Sequence, residues 1–325
     1  MPRPPLKIFC AGLALLLAGG CLPARAQQPW PARPIRLIVP FSPGGGADNA
    51  ARIIGQKLGE RLGQPLIIEN RPSAGGVVAE ATTAQAAPDG YTVLYDSFTM
   101  AINATKKNLS FNPRTDLVPV TSTATAETIL VVNPALPVKT FKDFVAYAKA
   151  HPGKVSYASY GVGSVAHLAG ELLASEAGLS MIHVPYKGGG QATGELVGGQ
   201  VDSYFAAPSS TLAFIKAGKL RALAVTSAQR VDYMPELPTM IEEGYPRFVM
   251  ETWHGIFVPR GTPPAIVARL DQETRAVLAD PEVSRQMRAS GLTPRIGSQA
   301  AFARFVPEQI TRWSQFVKDR NIQID

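Results

Sequence analysis

Short apolar runs rich in valine and isoleucine alternate with longer stretches of helical period along almost the whole chain. An apolar run between turn signals reads as a buried strand, and apolar positions spaced three and four apart read as one face of a helix. On that basis strands are expected at "IRLIVP", "PLIIEN", "YTVLYD", "ILVVNP", "KVSYAS", "MIHVPY", "VDSYFAA", "LRALAVTS" and "WHGIFVP". Helices are expected between them. Examples are "AARIIGQKLGERLG", which closes on a glycine, and "TFKDFVAYAKAHPG", where Thr140 and Asp143 are placed as a capping box. The alternation predicts an α/β protein with parallel sheets covered on both faces. From Pro263 onward the pattern turns mainly helical, and Pro307 is expected to kink or interrupt the final helix.

With 325 residues, two domains are the default expectation. No low-complexity linker separates them, so the connections must be strands that cross. "LVPVTSTATAETILVVNP" and the stretch from Pro246 to Trp253 are the candidates. This gives one α/β domain from residues 27–125 and 250–325 and a second from residues 126–249.

The first residues change the picture. Arg3 and Lys7, the apolar "IFCAGLALLLAGG" and the small residues ending at Ala26 describe a secretory signal peptide over residues 1–26. Its apolar run falls short of the roughly 20 residues of a membrane span, so the mature protein is expected to be exported and soluble. A second reading makes Cys21 a lipidated residue, but Ala18 stands where such signals carry leucine, and "ARA" follows soon after. Both cysteines, Cys10 and Cys21, lie in this leader, which excludes thiol catalysis and cysteine metal sites from the mature chain. Of 32 basic residues the leader holds Arg3, Lys7 and Arg25, leaving 29 against 25 acidic, a mild +4. No basic run interleaved with aromatics points to nucleic acid.

Four stretches share one layout: a strand ends, small residues and glycine follow, and a helix begins. They are "VPFSPGGGADNAAR" (39–52), "ENRPSAGGVVAEATTAQ" (69–85), "ASYGVGSVAHLAGELL" (158–173) and "VPYKGGGQATGELVGGQVD" (184–202). The first amides of a helix lack intrahelical partners and carry the positive end of its dipole, so they attract anions, and glycine lets the anion reach them. A lone glycine turn is commonly structural. Four, with Ser42, Ser73, Ser159 and Ser164 beside them, argue for a site at the carboxyl ends of strands. Asp48 either supports the start of its helix or meets a donor on a ligand, and Lys187 is either a solvated lysine or a partner for a ligand carboxylate.

Other chemistries fit less well. None of the four stretches has P-loop spacing. "GVGSVA" (161–166) satisfies G-x-G-x-x-A after a strand, with Glu176 or His183 where a ribose ligand would be sought, but a dinucleotide suits an exported protein poorly. Ser164 lacks the G-x-S-x-G elbow, and no carboxylate is placed by sequence to orient His167. The histidines show no metal spacing, and neither cofactor nor metal is expected. An exported serine hydrolase using Ser164 with His167 or His183 is the alternative, and a sensory partner of a membrane signalling protein is a third.

"WPARPIRLIVPFSPGGGADNAAR", "ENRPSAGGVVA", "PDGYTVLY", "SYGVGSVAHLAGELL", "VPYKGGGQATGELVGGQVD", "IKAGKLRALAVTSAQR" and "LPTMIEEGYP" followed by "WHGIFVPRGTPPAIVARL" together resemble the solute-binding receptors of tripartite tricarboxylate transporters, the Bug receptors. The resemblance implies a two-domain type II periplasmic-binding-protein fold with crossing strands and a ligand cleft between the domains. It also implies a small carboxylate as ligand, no turnover, the membrane components of such a transporter as partners, and a monomer. Carried over by position, the ligand residues are Ser42, Gly44, Gly45, Asp48, Ser73 and Gly76 from the first domain, with Ser97 a pocket-lining candidate in "YDSFTMAIN", which differs from the family's commoner small-residue run. The second contributes Ser159, Gly163, Ser164, Tyr186, Gly188 and Gly189, and Thr99 is a further pocket-lining candidate. The family usually has proline after the fourth "GGG", where this chain has Gln191, and Thr193 and Gly194 also depart from the pattern.

Overall fold

A computed structural model describes residues 30–41, 43, 46–73, 76–186 and 188–324; the expected signal peptide, with Cys10 and Cys21, lies outside them. In the first sheet, β1 (Ile35–Val39), β2 (Leu66–Asn70) and β3 (Thr92–Ser97) run parallel in the order β2-β1-β3. Against β3 lies β10 (Glu251–Pro259), antiparallel, followed by β4 (Leu117–Glu127) and the two-residue β11 (Thr293–Pro294). The second sheet repeats this plan. Here β6 (Ser156–Ser159), β7 (Ile182–Pro185) and β8 (Ser203–Ala206) stand in the order β7-β6-β8, then β5 (Ile129–Val132), antiparallel, then β9 (Arg221–Val225).

All nine expected strands are present, but the sheets are mixed rather than parallel. In each, the reversed strand arrives from the other half of the chain: β10 follows the second sheet and β5 follows the first, so each enters against the direction of its hosts.

Strand side chains alternate between two cores. Ile35, Leu37 and Val39 pack with Ile54 and Leu58 of α1 (Gly46–Leu62), Leu270 of α8 (Pro264–Leu278) and Met287 of α9 (Pro281–Ala289). Ile38 and Leu94 face the opposite way, toward α2 (Val77–Ala84), α3 (Thr99–Asn103) and α10 (Gln299–Asp319), in a core continuous with that of the second sheet. Helices α4 (Phe141–Ala150), α5 (Val165–Ala177), α6 (Gly189–Val197) and α7 (Pro208–Lys216) serve the second sheet. The capping box of α4 is present: Asp143 N–H donates to Thr140 Oγ1 at 3.1 Å and Thr140 N–H to Asp143 Oδ2 at 3.0 Å.

Pro307 does not interrupt α10, which runs unbroken through it. The proline sits on the exposed face, while Phe302, Val306, Ile310 and Trp313 are buried. An interior proline costs about 3 kcal/mol, whereas burying four large side chains at roughly 1.5–3 kcal/mol each outweighs it.

The crossings are tight. Thr128 alone separates β4 from β5, and Thr226 and Met250 flank the segment from β9 to β10. Thr226 N–H donates to Thr128 O at 3.0 Å, Thr128 N–H to Thr226 Oγ1 at 2.9 Å, and Thr226 Oγ1 to Met250 O at 2.6 Å. Both crossings are thereby stitched together in a dry layer where each polar group finds a partner.

Candidate functional site

Each glycine-rich stretch follows the carboxyl end of a strand: β1, β2, β6 and β7. Because β1 pairs with β2 and β6 with β7, with Val39 opposite Asn70 and Ser159 opposite Pro185, the stretches sit side by side in two pairs. Gly163, in the third, also approaches the first half: a Cβ there would lie 3.4 Å from Ile102 of α3 and 3.0 Å from Ile324. Of the expected site residues, Ser42, Gly44, Gly45 and Lys187 lie outside the described residues.

On the first sheet, Asp48 is buried at the start of α1. Its carboxylate accepts from Arg52 Nε at 2.9 Å and Asn70 Nδ2 at 2.7 Å, and the same Asn70 amide reaches Phe41 O at 2.9 Å. The helix start, the loop and the end of β2 are thus one charged brace. Ser73 accepts from Val78 N–H at 3.2 Å, capping α2. Gly76 has φ 83°, and a Cβ there would fall 2.7 Å from Pro40 Cβ, so both its backbone conformation and its neighbour demand glycine. Arg71 is paired with Glu69 and is not a free clamp.

Behind Ser97 and Thr99 lies a feature the sequence did not announce. Glu80 and Asp96 are both fully buried. Asn103 Nδ2 donates to Glu80 Oε1 at 2.5 Å and Ser97 N–H donates to Asp96 Oδ1 at 2.7 Å, while the outer oxygens Glu80 Oε2 and Asp96 Oδ2 are buried with no partner among the described residues. Two neighbouring carboxyl groups in such burial favour the protonated form. Burial, then the charge of Glu80, holds Asp96 well above the usual range, and burial moves Glu80 up to about 7. Ser97 Oγ lies 3.0 Å from Thr99 Oγ1 in front of this pair.

The second sheet is braced mainly by neutral groups, with one carboxylate at their edge: Tyr157 Oη donates to Glu171 Oε1 at 2.6 Å, and His167 Nε2 lies 3.9 Å from the same oxygen. Ser159 Oγ bonds His183 Nε2 at 2.7 Å and donates to Gly161 O at 3.0 Å. Gly163 N–H donates to His167 Nδ1 at 3.0 Å, which places that ring's own proton on Nε2. The two imidazoles stack at 3.9 Å, with Tyr157 on the far side of His183 at 5.0 Å. Burial lowers both histidines to about 4, so they are neutral at pH 7. Ser164 caps α5, accepting from His167 N–H at 3.3 Å and donating to Gly161 O at 2.6 Å. Burial moves the Tyr160 hydroxyl up to about 12, partly offset by the α5 amides of Val165 and Ala166.

Tyr186 N–H donates to Ser159 O at 2.8 Å, which joins the third stretch to the fourth. Gly188 precedes α6 in extended backbone. At Gly188, Gly190 and Gly194 an added Cβ would meet nothing within 4 Å, and at Gly189 only Tyr204 Oη, at 3.3 Å. The fourth stretch therefore bares its backbone to open space.

This geometry does not assemble the hydrolase alternative. Ser164 Oγ is spent on a helix cap and a carbonyl, and His167 spends Nδ1 on Gly163, so neither activates the other. Among the described residues no group of three or more His, Cys, Asp or Glu side chains is placed to hold a metal ion, and no helix is long and apolar enough to cross a membrane.

Residues 50–322 match the model of the tripartite tricarboxylate transporter family receptor. Protein BugT of Bordetella pertussis is 36% identical over 316 residues, covering 96% of this chain and 97% of BugT. The structure of R. palustris Rpa4515 with adipate superposes with a TM-score of 0.80 at 32% identity, covering 90% of this chain and 99% of that one. MatC from Rhodopseudomonas palustris with bound malate gives a TM-score of 0.76 at 31% identity, covering 89% and 100%.

Proposed function

Because this chain belongs to the tripartite tricarboxylate transporter family receptors, which are periplasmic solute-binding receptors, we propose that it captures a small carboxylate between its two sheets. It then presents that solute to the membrane components of a tripartite tricarboxylate transporter. The observation that carries this reading is the side-by-side placement of the glycine-rich loops at the ends of β1 with β2 and β6 with β7. Helix-start amides attract a carboxylate there without an arginine clamp. The ligands of the two relatives, adipate and malate, are both dicarboxylates.

Ser42, Gly44, Gly45, Ser73, Gly76 and Ser97 form one wall of the proposed cleft, with Asp48 bracing it. Ser159, Gly163, Ser164, Tyr186, Gly188 and Gly189 form the other. The two walls belong to domains of residues 27–125 with 250–325 and of residues 126–249, and closure is a hinge motion about the Thr128 and Thr226 crossings. The role is binding without turnover.

Calorimetric titration and thermal unfolding against malate, adipate, citrate, glutamate and neutral sugars test this. One or a few carboxylates should bind, and each should be recovered chemically unchanged. At 100 times its dissociation constant a ligand adds about 2.7 kcal/mol of stability. Binding of sugars alone, or conversion of the added acid, sinks the proposal. Gly188→Val locates the site, since its side chain has room in the fold but stands where the anion must approach. It should melt as the parent does without ligand and bind at least about tenfold more weakly, the loss of one charge-assisted bond.

A further inference from the structure

On the α10 side of the crossings lies a cavity of about 240 Å³ whose residues have no part in the proposed cleft. Trp253 and Trp313, both almost fully buried, contribute aromatic surface to it, and Phe305 adds a third ring. Two guanidinium groups also line it, each held over a ring: Arg295 over Phe305 at 5.4 Å and Arg312 over Trp313 at 5.0 Å. Stacking of this kind fixes a guanidinium plane; Arg312 Nη2 donates to Val249 O at 3.4 Å, and the remaining N–H groups of the two arginines can meet a carboxylate. Among the described residues neither arginine forms an ion pair. The carboxylate of Glu251, also in the wall, accepts instead from Ala228 N–H at 3.4 Å.

The remaining polar groups are biased toward donors. Gln309 Oε1 accepts from Trp313 Nε1 at 3.2 Å, which leaves its amide N–H₂ to donate. The indole N–H of Trp253 is buried and has no acceptor. A cavity with aromatic walls, two oriented cations and an unanswered buried donor is suited to a flat organic anion.

We infer that this cavity is a second ligand site, separate from the interdomain cleft, that binds an aromatic monocarboxylate. The carboxylate lies between Arg295 and Arg312, and the apolar ring lies against Trp253 and Phe305. Val249 and Ala228, from the segment that crosses between the sheets, share the wall with α10, so an occupant touches the crossing itself. The inference does not depend on what the main cleft binds.

Fluorine NMR of the protein labelled with 5-fluorotryptophan, titrated with benzoate, tests it. The Trp253 and Trp313 resonances, assigned by Trp→Phe variants, should shift together and saturably while Trp30 stays fixed. Arg295→Gln and Arg312→Gln should each weaken that shift by about tenfold or more, as expected for loss of a charge-assisted bond. Benzyl alcohol, the same shape without the charge, should not reproduce it, and Gly188→Val should leave it intact. The inference is overturned if neither resonance moves, if both arginine variants respond as the parent does, or if Gly188→Val abolishes the shift. A melting curve on each variant establishes that it is folded, and two independent arginines keep the test decisive should one fail.

Discussion

The two sheets share one strand plan, yet the loops at their carboxyl ends are held by different chemistry. On the first sheet the brace is ionic: Asp48 with Arg52 and Asn70 in front, the buried carboxyl groups of Glu80 and Asp96 behind. On the second it is mainly neutral: hydroxyls, backbone amides and two stacked imidazoles that burial keeps uncharged, with Glu171 at their edge accepting from Tyr157. The topology dictates where the loops go but not what fixes them. The carboxyl pair behind the first wall and the imidazole pair in the second should therefore respond to pH in opposite directions.

The largest expected effect is on acidification. Burial depresses His167, His183 and His254 to about 4, below the ordinary value of 6.5. The stability they contribute is present above pH 6.5 and lost as pH falls toward 4, because the unfolded chain takes up protons that the folded one refuses. For His254, stacked on Tyr95 and almost fully buried, that loss is about 3 kcal/mol at 1.36 kcal/mol per unit. The other two, on the second sheet, add to it. The carboxyl pair on the first sheet has the opposite sign: Glu80, raised to about 7, contributes stability below 4.5 that is lost as pH rises through 7. Denaturant titrations across pH should show both limbs, and Glu80→Gln should flatten only the alkaline one. An alkaline limb that persists in this variant removes the pair from the account.

Next in size is a contrast between two glycines at matching places, on the helices that follow β6 and β1, which hold the same position in the two sheets. A Cβ on Gly170 would stand 2.1 Å from Tyr157 Cε2, inside the ring that stacks on His183. Gly170→Ala should cost about 3 kcal/mol by overpacking. A Cβ on Gly55 would press only on the tip of Ile68, at 3.2 Å, and make ordinary contact with Leu37 at 3.5 Å and Leu66 at 3.7 Å. There the helix gains up to about 1 kcal/mol of propensity, and Gly55→Ala should be neutral or stabilising. Equal urea midpoints for the two variants would show that the Tyr157 ring yields freely and is no fixed floor.

Smaller still is Asp48→Ala, expected to cost about 2 kcal/mol by leaving Asn70 and Arg52 without their shared acceptor, less than for a fully buried pair because Arg52 is half exposed. Smallest is Ser164→Ala, the loss of one cap at about 1 kcal/mol. High salt should shrink the first cost and leave the second unchanged, so a common salt dependence would erase the distinction between ionic and neutral braces.

The strands and the glycine stations were legible because periodicity and glycine are local signals. What fixes the loops was not, since Asn70 reaches Asp48 across 22 residues and His183 reaches Ser159 across 24. Nothing near either residue in sequence marks its partner. The long β4 is legible only as part of a crossing strand and not in its extent, because its threonines and serines hide the apolar alternation. The reversed direction of β5 and β10 is a property of where the chain has come from, which hydropathy does not record. Asp48 was read as serving either its helix or a ligand; its bonds to Arg52 and Asn70 place it in the support of the loop.

The insertion of β10 between β3 and β4 also sets an order of assembly. As the chain leaves the ribosome, residues 129–225 hold every strand of the second sheet and can close on themselves at once. The first sheet, although it begins earlier, lacks an inner strand until residue 259 has appeared and lacks the cover of α10 until residue 319. During synthesis its early strands wait with an open seam, and unpaired strand edges of that kind make an incomplete chain prone to aggregation.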